Sequence, residues 1–159
     1  MTFLERLKET VTLRLWGFFK VPMIYWAGPK VLELNDDRCE ILIPLKYLTK
    51  NHFNSLYISA QVTGADIAGG LLALRHAKNQ KGKVSVIFKE IRGDFKKRPE
   101  EDTIFSCTDG KEIAALVKQA IQTKTRHHKT VKVTATCPKT FGTSPVTEFF
   151  LTLSVKASN

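Results

Sequence analysis

The stretch "NSLYISAQVTGADIAGGLLAL", residues 54–74, holds one charged residue, Asp66. Its residues lack the alternation of a half-buried strand. Ile58, Val62, Ala65 and Leu72, with Ala68 and Leu71, fall at helical offsets. A helix that is apolar nearly all round is buried, so the spacing predicts a core helix from Tyr57 to His76 (57–76). The rest of the chain must then wrap around it. Gly64, Gly69 and Gly70 lie inside this helix, where each costs about 1 kcal/mol relative to Ala. Glycines in such places point to the close approach of a neighbour. A lone carboxylate there is costly to bury unless something pairs with it or uses it.

The flanking segments supply the wrapping. "FLERLKETVTLRLWGF" places Leu4, Leu7, Val11, Leu15 and Phe18 at spacings of three and four, an amphipathic helix expected over 1–20. "VPMIYWAGP" breaks it. "KVLELND" and "RCEILIPL" read as a hairpin, with Pro44 at the end of the second run. After the core helix, "KVSVIFKEIRGDF" reads as a long strand and "DTIFSCT" as another. "DGKEIAALVKQAIQT" gives an additional helix over 109–123, with Asp109 as its cap and Ile113, Leu116, Val117 and Ile121 on one face. "KTVKVTATCPK" and "VTEFFLTLSVK" close the chain as strands. The connections are too short for crossovers, so the sheet is expected to be antiparallel. The expectation is one α+β domain over 1–159, a sheet around a buried helix.

The totals limit the function classes. A length of 159 residues can bury a real core without disulfides or a structural metal. The apolar fraction of 43% and charged fraction of 25% are those of a soluble globular chain. No run reaches the roughly 18 apolar residues of a membrane span, and the first twenty residues do not read as a secretory signal. Three cysteines, Cys39, Cys107 and Cys137, are an odd number without close spacing. They argue against a disulfide framework and a zinc site, and a reducing cytoplasm is the expected compartment. The net charge of +10 attracts something anionic, whether nucleic acid, a membrane surface or a phosphorylated ligand.

A hydrophobic helix gripped by a curved antiparallel sheet resembles the hotdog fold, and residues 25–156 resemble its acyl-CoA thioesterase branch. The nearest likeness is to a bacterial group with an extra helix between the fourth and fifth strands. The phenylacetate-pathway thioesterases are its better-understood relatives. Those carry an Asn, a Gly three later, then His-Gly-Gly, and a catalytic Asp fifteen after the Asn. Asn51 matches the Asn, and Asp66 falls at the Asp, preceded by the usual Ala at Ala65. Asn54 replaces the Gly, and Tyr57, Ile58 and Ser59 replace His-Gly-Gly.

The resemblance implies hydrolysis of an acyl-CoA thioester, with Asp66 as general base or nucleophile. Backbone N–H groups near Ser59 and Ala60 would bind the oxyanion at a helix N-terminus. Asn51 would orient the water or the carbonyl. Ser59, Thr63, Asp66 and Gly70 form one small polar stripe, with Thr63 and Gln61 as helpers. No cofactor and no metal are implied. The histidines, including the pair in "RHHK", show no ligand spacing, and "TGADIAGG" lacks the spacing of a dinucleotide or phosphate loop.

Basic residues bunch in "RHAKNQKGK" (75–83) and in "KEIRGDFKKRP" (89–99). Arg92, Lys96, Lys97 and Arg98 are the candidates for the phosphates of coenzyme A. Nucleic-acid binding is the competing class, but the aromatics do not interleave with the basic clusters as stacking platforms would. Two other readings stay open: a non-catalytic binder of acyl chains, and a structural Asp66 held by backbone N–H groups or by a partner subunit's Arg or Lys. Open sheet edges predict a homodimer or a dimer of dimers. The N-terminal helix, near Trp16, Phe18, Phe19 and Trp26, is expected to pack over the sheet or cap the acyl tunnel, with membrane-surface binding as its alternative.

Overall fold

The computed structural model describes residues 1–78 and 83–158. Residues 79–82 of the first basic cluster lie outside the described residues. In chain order the elements are α1 (Phe3–Lys20), α2 (Pro22–Ala27), β1 (Lys30–Leu34), β2 (Cys39–Ile43) and α3 (Ile58–Lys78). Then come β3 (Lys83–Phe95), β4 (Thr103–Cys107), α4 (Gly110–Thr123), β5 (His127–Thr136), α5 (Pro138–Phe141) and β6 (Pro145–Ser158). All paired strands are antiparallel, in the order β1-β2-β4-β5-β6-β3. β1 and β3 are therefore the edges. The long helix α3 lies against this sheet, the α+β hotdog arrangement that the resemblance implies.

One sheet face is the core. Val131, Val133 and Ala135 of β5 and Phe149, Leu151, Leu153 and Val155 of β6 are buried, and they alternate as a period of two demands. Residues paired across strands share a face. Val86, Phe88 and Ile91 of β3 sit opposite Val155, Leu153 and Leu151, so they belong to the inner side. Arg92, Phe150 and Lys132 are paired in one row on the outer side. α4 packs against α3, β5 and β6 through buried Ile113, Leu116, Val117 and Ala120. Its expected cap behaves differently: Asp109 occupies the N-cap position, but its carboxylate accepts from the Lys132 N–H at 2.8 Å. The side chain ties α4 to β5 rather than closing its own first turn.

The three glycines of α3 are not equivalent. A Cβ at Gly64 would lie 2.5 Å from the ring of Phe105, which is wholly buried on β4. This glycine lets helix and sheet meet. At Gly69 and Gly70 the nearest atoms are 3.9 and 3.6 Å from such a Cβ, ordinary contacts. Ala therefore fits at Gly70, where it gains about 1 kcal/mol of helix propensity. Gly70→Ala is expected to raise the melting temperature by a few degrees, measured by circular dichroism.

Two differences from the sequence reading concern the N-terminus. "VPMIYWAGP" does not only break α1. Pro22 opens a short helix, α2, which ends on Gly28 in the left-handed conformation (φ 69°). Pro at a first helical position loses no hydrogen bond. The apolar stripe of α1 also faces outward: Leu4, Leu7, Val11, Leu15 and Phe18 are exposed, while Leu13 and Gly17 are buried. The helix is held instead through its polar flank. Thr10 Oγ1 accepts from the Val31 N–H, and Arg14 donates to the carbonyls of Pro29 and Gly28. Gly17 lets α2 come close: a Cβ there would lie 3.0 Å from the Tyr25 nitrogen.

Candidate active site

Asp66 is half-buried on α3 and lines a cavity of about 220 Å³. Leu13 and Trp16 of α1, Ile24 of α2 and Val86 and Phe88 of β3 form the opposite walls. Gly70 and Leu71 continue the α3 wall one turn on. Among the described residues, no group forms a hydrogen bond or ion pair with the Asp66 carboxylate. Burial in this apolar setting pushes its pKa above the ordinary aspartate value. A carboxyl of raised pKa with no local partner, facing a cavity, is what a general base needs.

Asn51 stands elsewhere. It lines a second hollow at the N-terminus of α3, with Tyr57, Ile58, Phe95 and Arg98. Its Oδ1 accepts from the N–H groups of Phe53 (2.9 Å) and Ser55 (3.2 Å) and from the Ser55 hydroxyl (3.1 Å). Asn51 thus builds the turn that leads into α3. Asn54, where the resemblance expects Gly, adopts φ 57°. Asn tolerates this left-handed conformation better than most residues, so the turn keeps it without a glycine.

Ser59 is half-buried in the first turn of α3, seven residues and about 10 Å of helix axis from Asp66. Thr63 is buried, and its hydroxyl donates to the Ser59 carbonyl at 2.8 Å. That bond keeps the hydroxyl within its own helix. Gln61 donates to the Leu56 carbonyl at 3.0 Å and accepts from the Thr147 hydroxyl at 2.8 Å. It pins the start of α3 to β6. The Leu56 and Tyr57 N–H groups bond to the Pro99 and Thr49 carbonyls. The next amides, Ile58 to Ala60, belong to a helix first turn, where N–H groups have no intrahelical acceptor. The structure therefore brings Asp66 and Gly70 to one cavity and groups Asn51 with the helix start in another.

The four basic candidates have local partners. Arg92 lies over the Phe150 ring at 4.6 Å, on the outer sheet face. Lys96 pairs with Glu148 at 2.7 Å and with Asp94 at 3.3 Å. Lys132 and Lys96 together hold the Glu148 carboxyl down to about 2. Lys97 lies 4.6 Å from the Phe141 ring centre. Arg98 lies 5.1 Å from that of Phe53 and lines the hollow at the α3 N-terminus. Trp16 and Val86 belong to the Asp66 cavity without any motif to mark them. The alternation of β3 was the one signal for Val86 and Phe88.

The profile of DUF4442, a domain of unknown function, matches residues 13–148. The chain belongs to the DUF4442 family. No curated protein sequence matches it. Solved structures share the fold of this DUF4442 chain at low identity. A Pseudomonas aeruginosa protein of unknown function, named a probable thioesterase, is 19% identical with a TM-score of 0.75, covering 94% of this chain and 96% of its own. A Chlorobaculum tepidum protein of unknown function is 11% identical with a TM-score of 0.81, covering 96% and 97%. A thioesterase of Haemophilus influenzae is 14% identical with a TM-score of 0.63, covering 90% and 88%. Among the described residues no helix is long and apolar enough to cross a membrane.

Proposed function

We propose that this DUF4442 protein hydrolyses an acyl-CoA thioester to the free acid and the thiol, with Asp66 as general base or nucleophile. The observation that carries the reading is the half-buried carboxylate of Asp66, without a partner among the described residues, in an apolar cavity. As a base, Asp66 takes a proton from water while the water oxygen bonds to the carbonyl carbon. The tetrahedral oxyanion then collapses, the carbon–sulfur bond breaks, and the leaving thiolate receives the proton. The thioesterase names of the Pseudomonas and Haemophilus proteins support the same chemistry.

The Asp66 cavity alone offers little to bind an oxyanion, because its other walls are almost wholly apolar. A second copy would supply what is missing. β3 is an open edge of 13 residues. Antiparallel pairing of two such edges sets the N-terminal half of one β3 against the C-terminal half of the other. Val86 and Phe88 in the first half border Asp66, whereas Phe95 in the second half borders the start of α3 and Arg98. The pairing thus faces Asp66 of one copy with the free first-turn amides of the other. In this arrangement Asn51 and Ser59 shape the oxyanion end and Thr63 holds the helix backbone. The segment Arg92, Lys96, Lys97 and Arg98 meets the carrier phosphates. The resemblance to the phenylacetate-pathway enzymes favours aryl or short acyl groups in a cavity of this size.

Thiol release from a panel of short, long and aryl acyl-CoAs tests the reading. Turnover of at least one substrate is expected, and a folded protein inert towards the whole panel would sink it in favour of an acyl-binding role. Sedimentation analysis is expected to show a dimer. Ile87→Pro, which places a ring and removes a donor on the edge strand, is expected to yield monomer and cut turnover at least ten-fold. A monomer of full activity would contradict the shared site.

A further inference from the structure

A third hollow, of about 420 Å³, adjoins the Asp66 cavity between α1 and the C-terminal half of α3. Leu13, Trp16, Leu71 and Leu74 line both. The two spaces are neighbours across a shared wall. Trp16 is the largest of the four, and at 45% exposure it stands at the rim rather than locked in the core. The far end changes character: Arg75, held by Asp36 at 2.7 Å, and Lys78 border it. An apolar space of about 150 Å³ already holds benzene. The Asp66 cavity, at about 220 Å³, therefore suits an aryl or short aliphatic acyl group but not a long one. Past Trp16, the larger hollow gives a longer chain room to extend.

We propose that Trp16 sets the acyl-length limit of this protein, its indole closing the Asp66 cavity against the hollow that would take the distal part of a long chain. The inference rests on the thioester reading of the Asp66 cavity and adds its specificity determinant. Trp16 comes from α1, outside the sheet and the core helix, so acyl length is set by an element separate from the reacting carboxylate. Removing the indole joins the two spaces. Each methylene newly buried is worth roughly four-fold in binding, so two of the six that separate dodecanoyl from hexanoyl suffice for a ten-fold change.

The test compares hexanoyl-CoA and dodecanoyl-CoA hydrolysis by wild type, Trp16→Ala and Trp16→Phe, with melting curves for each. Binding of hexanoate and dodecanoate is followed in parallel by calorimetry. Wild type is expected to prefer the short chain. In Trp16→Ala the hexanoyl to dodecanoyl ratio of kcat/KM is expected to fall at least ten-fold, with dodecanoate binding gained. Trp16→Phe, which keeps a ring in the wall, should hold most of the preference. Should Trp16→Ala fail to fold, Leu74→Ala opens the same wall from α3 and is expected to shift the ratio in the same direction. A wild type that hydrolyses hexanoyl-CoA, with unchanged ratios in the folded wall variants, overturns the role of Trp16 and leaves the site standing. A wild type that neither hydrolyses nor binds either chain overturns both.

Discussion

Gly64→Ala is expected to lower the melting temperature by several degrees, although Ala is the better helix former. The added methyl would lie 2.5 Å from the buried Phe105 ring. Phe105 is enclosed between helix and sheet with no exposed surface, so it has no easy retreat. Overpacking of this kind costs about 1–3 kcal/mol, against a propensity gain of about 1 kcal/mol. For a domain of this size each kcal/mol moves the melting temperature by about 2–4 °C. Gly70→Ala, six residues along the same helix, is expected to move it the other way. Opposite signs in a pair of melting curves would confirm that only the first glycine serves helix–sheet contact. A stabilising Gly64→Ala would show that Phe105 shifts freely.

These glycines also show where the sequence stops being informative. Their presence in an apolar helix points to close approach, but a single residue type cannot say which of three is crowded by its neighbouring ring. The strand β3 is legible because Val84, Val86 and Phe88 fall at a spacing of two in a β-branched, apolar run. The buried helix α3 is legible because its one central charge, Asp66, has two turns of uncharged residues on either side. α1 misleads for a physical reason. Amphipathicity marks a stripe without saying whether the stripe meets the core, and here Thr10 and Arg14 dock the helix by hydrogen bonds while the apolar stripe faces outward. The carboxylate of the site is readable as a costly exception. Its cavity is not, since its walls come from α1, α2, α3 and β3. Asn51 matches a pattern, and the structure gives that match a turn-building meaning.

Asp66→Asn is expected to reduce thioester hydrolysis at least 100-fold, the effect of removing a general acid–base group. The same change is expected to stabilise the fold at neutral pH. Burial raises the Asp66 pKa, so folding favours the protonated form. That advantage is complete below the pKa of the unfolded carboxyl and is lost as pH rises through the higher folded value. At neutral pH the ionised group is a cost of the native state, which the neutral amide removes. Wild type should therefore gain stability as pH falls through this window relative to Asp66→Asn, whose difference curve isolates the carboxylate. The rate should respond in the opposite sense. The acid limb of kcat/KM is expected above the ordinary aspartate value of about 3.9, because the base works only when deprotonated. A gain in melting temperature joined to a loss of turnover is the mark of a carboxylate kept for chemistry.

The measurement that bears most directly on the central claim is free-thiol release from hexanoyl-CoA and an aryl acyl-CoA, by wild type beside Asp66→Asn, each shown to be folded by its melting curve. Turnover by wild type is expected, with a loss of at least 100-fold in a variant that melts no lower. Equal turnover by the two proteins would contradict that claim and move the chemistry away from Asp66.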